Sequence, residues 1–134
     1  MSLLLDTHYV YAIAGSETSL SRAEMDFLAG YPQRFVVSAV SVWEIRLKWS
    51  ALHPGGARKG PLDPALAVEV LRRQAIDFLD LTPRHAATRL IDAIPHHDPF
   101  DELLLVQAQY EDLRLLTRDR LLVGHPMAVA VPQG

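Results

Sequence analysis

No cysteine occurs in the 134 residues, which excludes a disulfide framework, thiolate catalysis and cysteine-ligated zinc, and fits a reducing cytoplasm. Long apolar runs are missing too. Leu3-Leu4-Leu5 has no basic segment ahead of it and is broken at once by Asp6, and no later stretch approaches the roughly 20 apolar residues of a membrane span. A soluble, cytoplasmic chain without a membrane partner is expected. Glycine is sparse and forms no phosphate loop, because Gly55-Gly56 has neither the spacing nor a preceding strand. There is no Gly-x-Ser-x-Gly elbow and no His-Glu-x-x-His. Positive charge is in deficit, with 13 Lys and Arg against 16 Asp and Glu for a net charge of −3. Nucleic acid would therefore have to be met by a local basic patch.

What is present is enough apolar material, 49% of the chain, for one domain with a substantial core and too little length for two. Strand and helix patterns alternate. Residues 2–5 read as a buried strand, followed by a helix face at Val10, Ile13 and Ala14 that ends near Gly15. A helix capped by Ser19 or Ser21 runs from Leu20 to Leu28, and Phe35-Val36-Val37 is the next strand. Val40, Trp43, Leu47 and Ala51 recur at helical spacing up to Leu52, and the Gly- and Pro-dense stretch 53–61 reads as a mobile flap. A helix from Pro64 to about Gln74, a strand near 78–81 and a helix from Thr82-Pro83 to Ile91 follow. Asp98-Pro99 opens a helix to about Glu111, then come a strand at 114–117, a helical turn and a last strand at 127–131. This order predicts an α/β fold, a mostly parallel sheet with helices on both faces and right-handed crossovers.

Four carboxylates fall at the carboxyl edge of that sheet, where open α/β sheets bind ligands. Asp6 ends the first strand, Asp119 follows Leu115-Leu116-Thr117, and Glu44 and Asp101 lie just inside helices that start at the same edge. Each has a plainer role open to it. Glu44 with Lys48 at i, i+4 is a common surface ion pair. Asp98 has the pattern of an N-cap before Pro99, with Asp101 as the acidic member of a capping box, and Asp6 and Asp119 can each cap the segment that follows. Their joint placement points elsewhere, because crowded carboxylates repel and raise one another's pKa values unless a cation neutralises them. Hard oxygen donors favour Mg²⁺ or Mn²⁺, so metal-assisted phosphodiester cleavage is the expected chemistry. His96-His97 reads as a loop pair, solvated or capping rather than ligating. Trp43 and Trp49 read as core and rim aromatics. Local cations available to a phosphate backbone are Arg46, Lys48, Arg58, Lys59 and Arg118, with solvated surface as their plainer reading.

The segments Leu4-Leu5-Asp6-Thr7-His8, Val37 to Ile45, His97-Asp98-Pro99-Phe100-Asp101-Glu102-Leu103-Leu104 and Leu116-Thr117-Arg118-Asp119 together resemble the successive motifs of PIN domains, in particular VapC-like ribonuclease toxins of type II toxin-antitoxin pairs. The resemblance spans nearly the whole chain and implies a single PIN domain over residues 1–134, a three-layer α/β/α sandwich. It also implies Mg²⁺- or Mn²⁺-dependent cleavage of RNA, a small cognate antitoxin and a homodimer. Matched by motif, Asp6, Glu44, Asp101 and Asp119 correspond to the acidic quartet and Thr117 to its supporting hydroxyl, while Asp98 is assigned to the outer shell or a secondary contact. Glu102 departs from the pattern at a position often basic in such proteins. Tyr9, Tyr11, Ile13, Phe27 and Tyr31 are apolar enough for part of them to serve an interface. Two other classes stay open: a catalytically idle PIN-like binding module, and a metal-dependent DNA nuclease or phosphatase.

Overall fold

Leu3-Leu4-Leu5 is too apolar to lie anywhere but between two helical layers, and it forms the central strand β1 (Leu3–Leu5), fully buried. A computed structural model describes residues 1–15, 19–51, 55, 60–96 and 98–132. In it β1 is flanked by β2 (Phe35–Ser38) and β4 (Arg114–Leu116), with β3 (Asp77–Leu79) outside β2 and β5 (Ala128–Val129) outside β4. Every pairing is parallel, and Leu4 lies opposite both Val36 and Leu115. The helices are α1 (Thr7–Ile13), α2 (Arg22–Gly30), α3 (Ala39–Ser50), α4 (Pro64–Arg73), α5 (Pro83–Ala87) and α6 (Pro99–Glu111).

Period-2 alternation splits the core between the two faces of the sheet. Leu3, Leu5 and Val37 pack with Tyr9 and Val10 of α1, Ile45 of α3, and Ala67 and Leu71 of α4. Leu4, Val36 and Leu115 pack on the other side with Leu104, Leu105 and Ala108 of α6 and with Leu90 and Leu122. The result is a three-layer α/β/α sandwich around an all-parallel sheet. No helix among the described residues is long and apolar enough to cross a membrane.

The chain runs outward from β1 through β2 to β3, then returns to the other side of β1 for β4 and β5. The order therefore reverses between β1 and β4, and the crevice beyond the carboxyl ends of those two strands is the natural ligand position of such a sheet. The Asp6 backbone N–H donates to Leu116 O at 3.0 Å, which ties the two strand ends together there.

Several boundaries differ from those the sequence predicts. The helix expected to reach Ile91 stops at Ala87, where Thr88 turns extended and its hydroxyl donates to Arg84 O at 2.6 Å. Beyond it, Gln109 of α6 satisfies the backbone that a helix would have used, accepting the Ile91 N–H and donating to Arg89 O, both at 2.9 Å. The third strand pairs over 77–79 instead of 78–81, and the last pairs only at Ala128–Val129. Most of the flap expected at 53–61 lies outside the described residues. Gly60 is buried so close to α3 that a Cβ would stand 2.6 Å from the Trp49 backbone nitrogen, which leaves room for no other residue.

Candidate functional site

Each acid reaches the crevice because it stands where a strand stops or a helix starts. Asp6 is the N-cap of α1, its Oδ1 accepting the Thr7 N–H at 2.7 Å. Ser38 caps α3, which carries Glu44 in its second turn. Asp98 caps α6, its Oδ1 accepting the N–H groups of Phe100 (2.9 Å) and Asp101 (3.3 Å), with Pro99 at the first helical position. Asp119 accepts the Leu121 N–H at 2.9 Å. Capping and clustering are thus compatible, since a carboxylate can cap with one lone pair and keep others for the crevice. The acids line a cleft of about 430 Å³ together with Lys48 and Arg118.

Hydroxyls hold the carboxylates in register. Thr117, wholly buried, donates to Asp6 Oδ2 at 2.6 Å and accepts the Asp119 N–H at 3.1 Å. Thr7 donates to Glu44 Oε1 at 2.8 Å and lies 3.0 Å from Ser41 Oγ. Glu44 Oε2 pairs with Lys48 Nζ at 3.0 Å. Burial raises the Asp6 pKa, with the Thr117 and Thr7 hydrogen bonds opposing it and the Glu44 and Asp119 charges adding to it. Asp101 is raised further, to about 7, first by burial and then by the charges of Asp6, Asp98, Asp119 and Glu44. Its side chain is only 15% exposed, and His96 Nε2 is 3.6 Å from Asp101 Oδ2.

This donor set fits a hard divalent cation. Several carboxylate oxygens converge on one cleft, where a cation would offset the like charge that adds to burial in raising the Asp101 pKa. One ligand atom from each of His96, Asp101 and Asp119 lies within 4.8 Å of the others.

The cations named from sequence separate. Lys48 and Arg118 are at the cleft. Arg118 Nη1 lies 2.8 Å from His8 Nε2 and donates to Ser19 O at 2.9 Å, with Glu24 Oε1 at 3.4 Å. Arg46 stands in a different groove between α3 and α4, its guanidinium 5.3 Å from the Trp43 ring centre. Arg58 and Lys59 lie outside the described residues, as does His97. Tyr9 is buried with its hydroxyl donating to Glu24 Oε2 at 2.6 Å, whereas Tyr11 lines the cleft.

His96 is the residue that sequence reasoning sets aside. Its signal is local: a histidine two positions before an N-cap aspartate can accept that residue's own N–H, and Nδ1 of His96 lies 3.2 Å from the Asp98 nitrogen.

The family model for the PIN domain matches residues 3–123. Among solved structures, a toxin-antitoxin complex from Klebsiella pneumoniae superposes with a TM-score of 0.52 at 17% sequence identity, over 95% of this chain and 95% of that one. At that identity the likeness is one of fold. No curated protein matches the sequence.

Proposed function

The chain belongs to the PIN domain family, and from that membership and the acidic cleft we propose that it is a metal-dependent endoribonuclease, the toxin of a VapBC-type pair held in check by a small antitoxin. The observation that carries the reading is the convergence of Asp6, Glu44, Asp98, Asp101 and Asp119 on one cleft, where burial first and then the charges of the other acids raise the Asp101 carboxyl to about 7. Groups perturbed this far by burial and like charge are commonest at functional sites. A catalytically idle binding module has no electrostatic reason to keep such a cluster together.

Asp6 and Asp101 would hold Mg²⁺ or Mn²⁺ directly, with Glu44 and Asp119 bonding its waters and Asp98 in support. Once bound, the ion supplies the Lewis acidity that activates water and offsets charge on a scissile phosphate. The chain's own residues do the rest. Thr117 keeps Asp6 and Asp119 at fixed separation, and Thr7 does the same for Glu44. Lys48 and Arg118 are the cleft's cations, placed to meet phosphates of an incoming strand. Hydrolysis by water leaves a 5′-phosphate. The preference for RNA over DNA rests on the resemblance to VapC-like toxins, and the toxin role draws support from the fold neighbour, itself part of a toxin-antitoxin complex. A homodimer and an antitoxin that presents a basic side chain to the cleft complete the proposal.

Antitoxin-free protein, incubated with structured RNA and single-stranded DNA in Mg²⁺, Mn²⁺ or EDTA, tests it directly. Metal-dependent RNA cleavage that is lost in Asp6→Asn is the expected result. Folded, metal-bound protein that cuts neither nucleic acid would sink the nuclease reading.

A further inference from the structure

Among the described residues, His96 Nε2 is a buried polar atom with no hydrogen-bond partner, an arrangement that is costly and calls for a reason. Asp101 Oδ2 stands 3.6 Å away, too far for a hydrogen bond. The other ring nitrogen explains what Nε2 is. Nδ1 faces the Asp98 backbone N–H at 3.2 Å, and that N–H can only donate. Nδ1 must therefore offer its lone pair, and the ring proton is on Nε2. An Nε2 carrying a proton has no lone pair for a metal, so the closeness of His96 to Asp101 and Asp119 does not make it a ligand.

Resting on the metal reading above, we infer that His96 is a positioning residue for Asp101: its Nε2–H donates to Asp101 Oδ2 when a divalent cation is bound, turning Oδ1 toward the ion. The ring is held for this task. Its side chain is 20% exposed, it lies in the wall of a second cavity alongside Pro99 and Leu103, and its Nδ1 contact is to the residue that starts α6, the helix carrying Asp101. The Asp98 N–H contact thus ties the donor ring to the start of the helix that carries the carboxylate. Hydrogen-bonded second partners of metal-binding carboxylates are worth about 10–100-fold in metal affinity.

The test measures Mn²⁺ affinity by electron paramagnetic resonance in the wild type, His96→Ala, His96→Gln and Asp101→Asn, and locates the ring proton by ¹⁵N-¹H correlation with and without Mg²⁺. The expected result is an Nε2 proton that persists on Mg²⁺ addition. Alongside it, affinity should fall about 10–100-fold in His96→Ala and largely return in His96→Gln, whose amide donates from nearly the same point. Wild-type affinity in His96→Ala overturns the inference while leaving the metal reading intact. A proton on Nδ1, or an Nε2 proton lost to Mg²⁺, removes the donor and overturns the inference without relying on any variant's folding. A wild type that binds no Mn²⁺ removes the metal reading and this inference together.

Discussion

The Thr117 hydroxyl joins the two strand-end acids, donating to Asp6 Oδ2 at 2.6 Å while accepting the Asp119 backbone N–H at 3.1 Å. One side chain thereby fixes the spacing between residues 113 positions apart in the chain, and it does so from a wholly buried position. Thr117→Val keeps the shape and deletes both bonds. The expected cost is about 1–3 kcal/mol of stability in urea unfolding, with a loss of about 10–100-fold in metal affinity. Thr117→Ser keeps the hydroxyl and should recover most of the metal affinity. Equal affinity in the valine and serine variants would show that the hydroxyl only fills space.

Asp101 makes metal-free stability depend on pH in a definite direction. Its pKa in the folded protein is about 7 against an ordinary 3.8, so the proton is held more tightly folded than unfolded. The stability it contributes is complete below about pH 4 and is lost as pH rises through about 7. An asparagine imitates the protonated carboxyl at every pH. In EDTA, the Tm of Asp101→Asn relative to wild type should therefore climb between pH 4 and 7 and level off above. A gain of roughly 1–2 kcal/mol corresponds to about 5 °C in a domain of this size. Mg²⁺ should reverse the order at pH 8, because it stabilises only the protein that binds it. A pH-independent difference between the two proteins would show that Asp101 titrates normally.

Much of this arrangement is legible in the sequence because it is written in local chemistry. The Leu3-Leu4-Leu5 run stops at an aspartate, and an Asp-Pro pair marks the start of α6, so strand ends and helix caps can be found from residue order alone. Their convergence on one edge follows from strand and helix alternation. That β1 and β4 are neighbours is a long-range fact, and the crevice between them is not written in either strand alone. The end of α5 escapes for a similar reason: Gln109, 18 to 20 residues downstream, supplies the bonds that let residues 89–91 leave the helix. Arg46 is two residues from Glu44, yet two helical steps turn it about 200° around α3, into the Trp43 groove. Spacing alone does not say which of the two faces the sheet edge. His96 is within reach of local reasoning, but its meaning depends on which ring nitrogen meets the Asp98 N–H.

A polar network that touches neither acid links the start of α3, which carries Glu44, to α6, which carries Asp101. Ser38, the cap of α3, donates its hydroxyl to Gln107 Oε1 on α6. Gln107 Nε2 in turn lies 3.3 Å from both Asp80 O and His85 Nδ1. Nδ1 of His85 also accepts the Thr82 N–H at 3.2 Å, so its proton is on Nε2, which donates to Glu111 Oε2 at 2.8 Å. Every member is satisfied, and a network of this kind fixes one packing of helix on sheet instead of several. Gln107→Leu would strand the Ser38 hydroxyl and the Asp80 carbonyl, and we expect it to cost about 2–4 kcal/mol in urea unfolding. Ser38→Ala alone should cost less, because it also frees Gln107 to bond elsewhere. In a double-mutant cycle the pair should fall short of additivity by about 1 kcal/mol or more. Metal affinity should drop in Gln107→Leu even under conditions where the variant is fully folded, since α6 can then shift Asp101 relative to Glu44. Additive stabilities with unchanged metal affinity would mean that the two helices are held by apolar packing alone and that the acids need no such brace.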